Sequence, residues 1–147
     1  MRTAPMALAV VLSAAGLAGC GKEIGRIVLR GEGQGETTIQ ATGGKKLALW
    51  TSLDVKYQGD LIARYEVELL EGGAVVGKTS CDPLDVNVKT SARETNFNGD
   101  RSVSWQGKMR CEVTPTKSGP AVVRAKVIIS KRPQALTVTD MSLVVKE

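Results

Sequence analysis

The sequence predicts an all-β domain, a single antiparallel β-sandwich or small barrel of about eight or nine strands. Three features predict it. Apolar and polar residues alternate with a period of two along most of the chain, and turn-forming residues interrupt that alternation at short intervals. Beyond the first twenty residues, no segment sustains the apolar period of 3.6 that a helix would need.

The elements follow in order. Arg26 to Arg30 and Thr37 to Ala41 read as short strands. Lys46 to Tyr57 alternates clearly, with Leu47, Leu49, Leu53, Val55 and Tyr57 on one face and Lys46, Ser52, Asp54 and Lys56 on the other. After the turn Gln58-Gly59-Asp60, Leu61 to Leu69 repeats the pattern, with Leu61, Ala63, Tyr65, Val67 and Leu69 set against Arg64, Glu66 and Glu68. Glu71-Gly72-Gly73 has the composition of a hairpin turn and leads into Ala74 to Thr79. Val86 to Thr90 is a shorter strand, Asn98-Gly99 a second hairpin signal, and Ser102 to Val113 the strand that follows it. Val122 to Ser130 and Leu136 to Val145 complete the set.

With 147 residues, 42% of them hydrophobic and 24% charged, the chain fits one globular domain. Aromatic residues make up only 3%, so the core is built from Val, Leu, Ile and Ala. The net charge of +5 is spread over single residues and pairs such as Lys45-Lys46 and Lys131-Arg132. Such scatter suits an anionic envelope surface better than a nucleic acid, which favours clustered cations interleaved with aromatics. Histidine is absent. That removes Ser-His-Asp and Cys-His catalysis, HExxH zinc chemistry and imidazole pH switching, while leaving carboxylate hydrolases and lysine nucleophiles open.

The amino terminus has a separate logic. Arg2 is followed by an Ala/Leu/Val-rich run from Ala4 to Ala15, broken only by Pro5 and Ser13. A basic start, a short apolar segment and small residues at its end are the parts of a secretory signal peptide, and the run is too short to span a bilayer as a helix. At its end Leu17-Ala18-Gly19-Cys20 resembles the lipobox of bacterial lipoproteins. The resemblance covers residues 1–20 only, and no family is recognised for the rest of the chain.

The resemblance implies cleavage just before Cys20, a diacylglycerol thioether on its sulfur and acylation (palmitate) of the new amino group. Residues 1–19 are then a lipoprotein signal peptide, residues 20–25 the lipidated cysteine and a short tether, and residues 26–147 the sandwich domain. In Gram-negative members of the class an Asp after the cysteine favours the inner membrane. Gly21 stands there, so the resemblance implies an exported protein held at the outer membrane, on its periplasmic or surface face.

With Cys20 assigned to lipid, Cys81 and Cys111 remain, and an exported domain with two cysteines is expected to pair them. Free buried thiols and a reactive site are the alternatives. Trp105 lies six positions before Cys111, which does not fit the Cys…Trp…Cys spacing of an immunoglobulin domain.

Four features bear on function. Trp50 shares strand parity with Ala48, Ser52, Asp54 and Lys56, the polar face. Left open, it would be a stacking platform for a sugar or a contact for a protein partner, unless a loop or terminal strand covers it. Asp82, Asp85 and Asn87 offer oxygens for calcium, but Asp before Pro more simply starts a turn, and no metal site is expected. Lys108, Arg110, Arg124 and Lys126 would share one basic face if their strands paired. Glu66, Glu68 and Asp54 are the candidates for a carboxylate pair.

The expected function is therefore a membrane-anchored envelope lipoprotein acting as a non-catalytic binding or assembly module, without cofactor, for an envelope protein or glycan. The alternatives are a glycan-binding, adhesin-like module using Trp50, and a carboxylate-based hydrolase.

Overall fold

Strand sequences with one apolar face must bury that face, and two sheets facing each other are the simplest way to do so. In the computed structural model, which describes residues 21–30 and 33–147, that is what forms. Nine strands appear: β1 (Glu23–Val28), β2 (Gln34–Ala41), β3 (Leu47–Gln58), β4 (Ile62–Glu71), β5 (Ala74–Cys81), β6 (Val86–Phe97), β7 (Asp100–Val113), β8 (Gly119–Lys131) and β9 (Ala135–Lys146). They make a five-stranded sheet in the order β1-β9-β3-β7-β6 and a four-stranded sheet in the order β2-β8-β4-β5. Every pairing is antiparallel. The two sheets stay separate, so the fold is a sandwich and not a closed barrel.

The alternation read from the sequence lines the space between the sheets. Leu47, Leu49, Leu53, Val55 and Tyr57 of β3 face Ala63, Tyr65, Val67 and Leu69 of β4, all buried in one cluster with Val123, Ala125 and Val127 of β8. Thr51 breaks the apolar run on β3 yet is fully buried. Its hydroxyl and the Tyr65 hydroxyl are 2.9 Å apart in a mutual hydrogen bond, which satisfies both polar groups inside the core. Burial pushes the Tyr65 phenol well above its ordinary range, so it remains a neutral hydroxyl.

Two tight hairpins set register. Gly72-Gly73 and Asn98-Gly99 each place two successive residues at positive φ, the geometry that type I′ turns require and that Gly and Asn tolerate. Farther along β7, Gly107 admits the start of β6: a Cβ there would stand 2.8 Å from Val86.

The disulfide joins Cys81 at the end of β5 to Cys111 of β7, with Cα atoms 5.5 Å apart, and so staples one sheet to the other. After Cys81 the chain turns at Asp82, whose carboxylate accepts the Leu84 N–H at 2.8 Å, and crosses to the opposite sheet as β6.

The two ends of the sandwich differ. At the near end Lys22 and Glu147 exchange backbone hydrogen bonds of 3.0 and 2.9 Å, which pins the entering chain against β9. The first strand begins at Glu23 and not at Arg26. Glu71 closes the same end. Its buried carboxylate accepts the Thr116 N–H at 2.8 Å, the Thr116 hydroxyl and the Lys117 N–H at 3.5 Å. These bonds, the Thr116 hydroxyl foremost, hold its pKa below the ordinary carboxylate value. The far end carries the β3–β4 turn, the β8–β9 turn and the β6–β7 hairpin, and Gly59 N–H of the first donates to the Gly99 carbonyl of the last at 3.2 Å. The signal-peptide and lipobox expectations, Cys20 included, lie outside the described residues.

Two outcomes test this description. Replacing both Cys81 and Cys111 by Ala should lower the unfolding free energy by about 3–4 kcal/mol, the loop-entropy value for a closure of this length, as read by urea denaturation. Because the folded Glu71 pKa is depressed, its contribution is complete above the unfolded value and is lost as pH falls through and below it. A urea midpoint measured against pH should therefore drop on acidification, and Glu71→Gln should lower the neutral-pH midpoint while flattening that drop.

Candidate functional site

The polar face of β3 is the outward face of the five-stranded sheet, and Trp50 lies on it as its parity requires. The ring is nevertheless only 3% exposed. It sits opposite Val144 of β9 and under the Lys146 ammonium, 4.0 Å from the ring centroid. Next to it Ser52 and Ser142 both donate to the Asp140 carboxylate, at 2.5 and 2.7 Å, which orders a compact polar cluster. The indole N–H has no acceptor among the described residues. A stacking platform needs a ring open to solvent, and Trp50 does not present one.

The basic face does not assemble. β7 and β8 belong to different sheets, so Lys108 and Arg110 lie on one side of the molecule and Arg124 and Lys126 on the other. Three of the four are in exposed ion pairs: Arg110 with Asp85 at 3.1 Å, Arg124 with Glu36 at 3.5 Å and Lys126 with Glu66 at 3.8 Å. The carboxylates are equally dispersed. Glu66 and Glu68 point outward from the four-stranded sheet, where Glu66 also meets Arg64 at 3.3 Å, while Asp54 lies on the outward face of the other sheet. Glu66 and Glu68 share one small depression of about 170 Å³ with Arg124 and Lys126, and Asp54 is not part of it. In the Asp82–Asn87 segment Asp82 caps its own turn and Asp85 is held by Arg110, so both carboxylates already have partners.

A different region gathers chemistry at the far end. Because β5 stops at Cys81, opposite Tyr65, residues 62–64 of β4 have no partner strand on that side, and the distal part of β6 has nothing facing it. Every residue of β6 after Val86 is exposed. The inner side of this overhang is a cleft of about 590 Å³, with Tyr57, Leu61, Leu84, Val103 and Trp105 at its apolar base and Glu94, Asn96 and Arg101 at its rim. Its base is rigidly held. The Trp105 indole donates to the Pro83 carbonyl at 3.2 Å, and the Lys89 ammonium lies 4.2 Å from the Trp105 ring centroid while also meeting Glu94 at 3.4 Å. On the outer side of the same hairpin a second cleft of about 500 Å³ lies among Lys56, Thr95, Phe97, Arg101 and Thr137. Phe97, at the hairpin tip, is 75% exposed and is the aromatic ring most open to solvent.

Sequence reading missed this region because it ended the sixth strand at Thr90. A strand exposed on both faces has no alternation to detect. What the sequence did carry was the single Phe of the chain, set in a polar stretch directly before Asn98-Gly99.

No protein-family model matches the chain, and no curated protein matches it closely enough to count as a relative. The functional reading therefore rests on the residues themselves.

The contrast between the aromatic residues is testable. Trp105→Ala should destabilise by about 3–5 kcal/mol in chemical denaturation, as a buried and hydrogen-bonded ring does. Phe97→Ala should stay within about 0.5 kcal/mol of wild type.

Proposed function

We propose that this protein is a non-catalytic envelope lipoprotein, held to a membrane through lipid on Cys20 and acting as a binding or assembly module. The observation that carries the reading is Leu17-Ala18-Gly19-Cys20 closing an apolar run, followed at once by chain committed to the fold. With Lys22 already bonded to Glu147, almost no slack separates the lipid from the sandwich. Two or three acyl chains hold a protein stably at a bilayer, and Gly21 after the cysteine favours the outer membrane.

The two ends then have distinct tasks. The near end faces the bilayer. The far end, with its open clefts, stands away from it by the length of β3, twelve residues or about 40 Å at about 3.3 Å per residue. Tethering raises the effective concentration of that far end for anything at the same surface. The mechanism is positional, and no chemical step is assigned to any residue.

Intact mass of the protein purified from membranes tests the tether. The expected species begins at Cys20 and carries the diacylglyceryl and acyl masses. Cys20→Ser should abolish palmitate incorporation and release the protein to the soluble fraction. An unmodified mature chain with any other amino terminus overturns the proposal.

A further inference from the structure

We infer that the free edge of β6 from Arg93 to Phe97, beside the inner cleft, accepts an extended acidic and apolar segment of a partner protein as an added strand. The inference deepens the binding-module reading but is independent of acylation at Cys20.

The first support is backbone. β6 is the outermost strand of its sheet, bonded to β7 alone, so half of its N–H and C=O groups face away from any protein partner. The ladder with β7 is interrupted between Thr90 and Arg93, where Ser91 takes a positive φ of 52°. Such a bulge twists an edge away from indiscriminate pairing. Beyond it the pairing is regular from Arg93 opposite Ser104 to Phe97 opposite Asp100. The usable edge is therefore short and defined.

The second support is the cleft. An added strand points alternate side chains to the inner side, and main-chain bonds then supply affinity while a pocket for alternate side chains supplies selectivity. The inner cleft, about 590 Å³ over Tyr57, Val103 and Trp105, is within the range of about 300–1,000 Å³ typical of ligand sites. It exists because no strand of the opposite sheet covers this stretch. Phe97 at the end of the same edge adds an apolar contact.

The third support is charge. Lys56, Arg93 and Arg101 are in no ion pair among the described residues, whereas Glu94 is held by Lys89 and Asp60 by Lys131. Asp54 and Asp100 are likewise in no ion pair among the described residues and Asp60 also attracts Arg101, so the cations exceed the free carboxylates only slightly, and carboxylates on the incoming segment are favoured to that extent. A second copy fits poorly. Antiparallel self-pairing centred on Thr95 sets Arg93 against Phe97, so the Arg93 of each copy meets no carboxylate across the seam.

The test uses the protein purified from membranes and three synthetic octapeptides: alternating Val/Glu, alternating Val/Lys, and Val/Glu with every second amide N-methylated. Backbone amide resonances and hydrogen exchange report the contact. The Val/Glu peptide should shift the amides of residues 93–97 and slow their exchange. The Val/Lys peptide should bind at least tenfold more weakly, and N-methylation should abolish binding. Arg93→Glu, on the outer face where the peptide carboxylates lie when its Val side chains fill the inner cleft, should weaken the Val/Glu peptide about tenfold at an unchanged melting temperature.

The inference is overturned by no response to any peptide at millimolar concentration, or by equal binding of the N-methylated peptide. It is also overturned if the same amides become protected by protein concentration alone, or by a soluble peptidoglycan fragment and no peptide. Mass of the same preparation reads acylation separately, so failure here and failure of the tether are told apart.

Discussion

The covalent link between Cys81 and Cys111 lies where the chain passes from one sheet to the other, and the rest of the architecture is arranged around that crossing. Cys81 is the last residue of β5, so the four-stranded sheet ends early on this flank. β6 then begins beside the near half of β7 and runs to the far end without a facing strand. One constraint thus produces both the tight, stapled half of the molecule and the open overhang. A longer β5 would have covered Trp105 with a strand. Instead the Pro83 carbonyl does so through a single hydrogen bond, and a cleft remains next to it.

The core itself has little margin. With so few aromatics, cohesion depends on many branched aliphatic contacts between the sheets, and two of the five aromatic residues, Tyr65 and Trp105, are buried with a polar partner for the hydroxyl or indole N–H. The near end shows the same economy. Glu71 gathers the β7–β8 connection with its carboxylate, and Glu147 receives Lys45 at 3.3 Å and the Thr42 hydroxyl at 3.1 Å. That end is closed by hydrogen bonds, whereas the far end is left with unpaired cations and an exposed ring. Under the proposed lipid anchor the near end would be held at a surface and the unfinished end presented, and the proposed strand addition gives that end a physical purpose.

Local and long-range information divide cleanly in this chain. Alternation on β3, β4, β7 and β8 was legible because each of those strands buries one face, and burial selects residue type at every second position. The two glycine-containing hairpins were legible because positive φ restricts the residues that can sit there. The distal half of β6 was not, since neither of its faces is buried and nothing constrains its composition. Trp50 was placed on the correct face, but parity says only which way a side chain points. Whether Lys146, Val144 and the Asp140 cluster close around it depends on β9, some ninety residues away in the chain. The supposed four-cation face failed for the same reason, because strand parity carries no record of which sheet a strand joins.

Residues 21–147 alone thus specify an all-β chain, its inward and outward positions and two cysteines suited to pair, all of which follow from chemistry within a few residues of each site. Sheet membership, the early end of β5, the burial of Trp50 and the free edge from Arg93 to Phe97 arise only when distant segments meet. They depend on contacts between strands far apart in sequence, and no local pattern encodes those contacts.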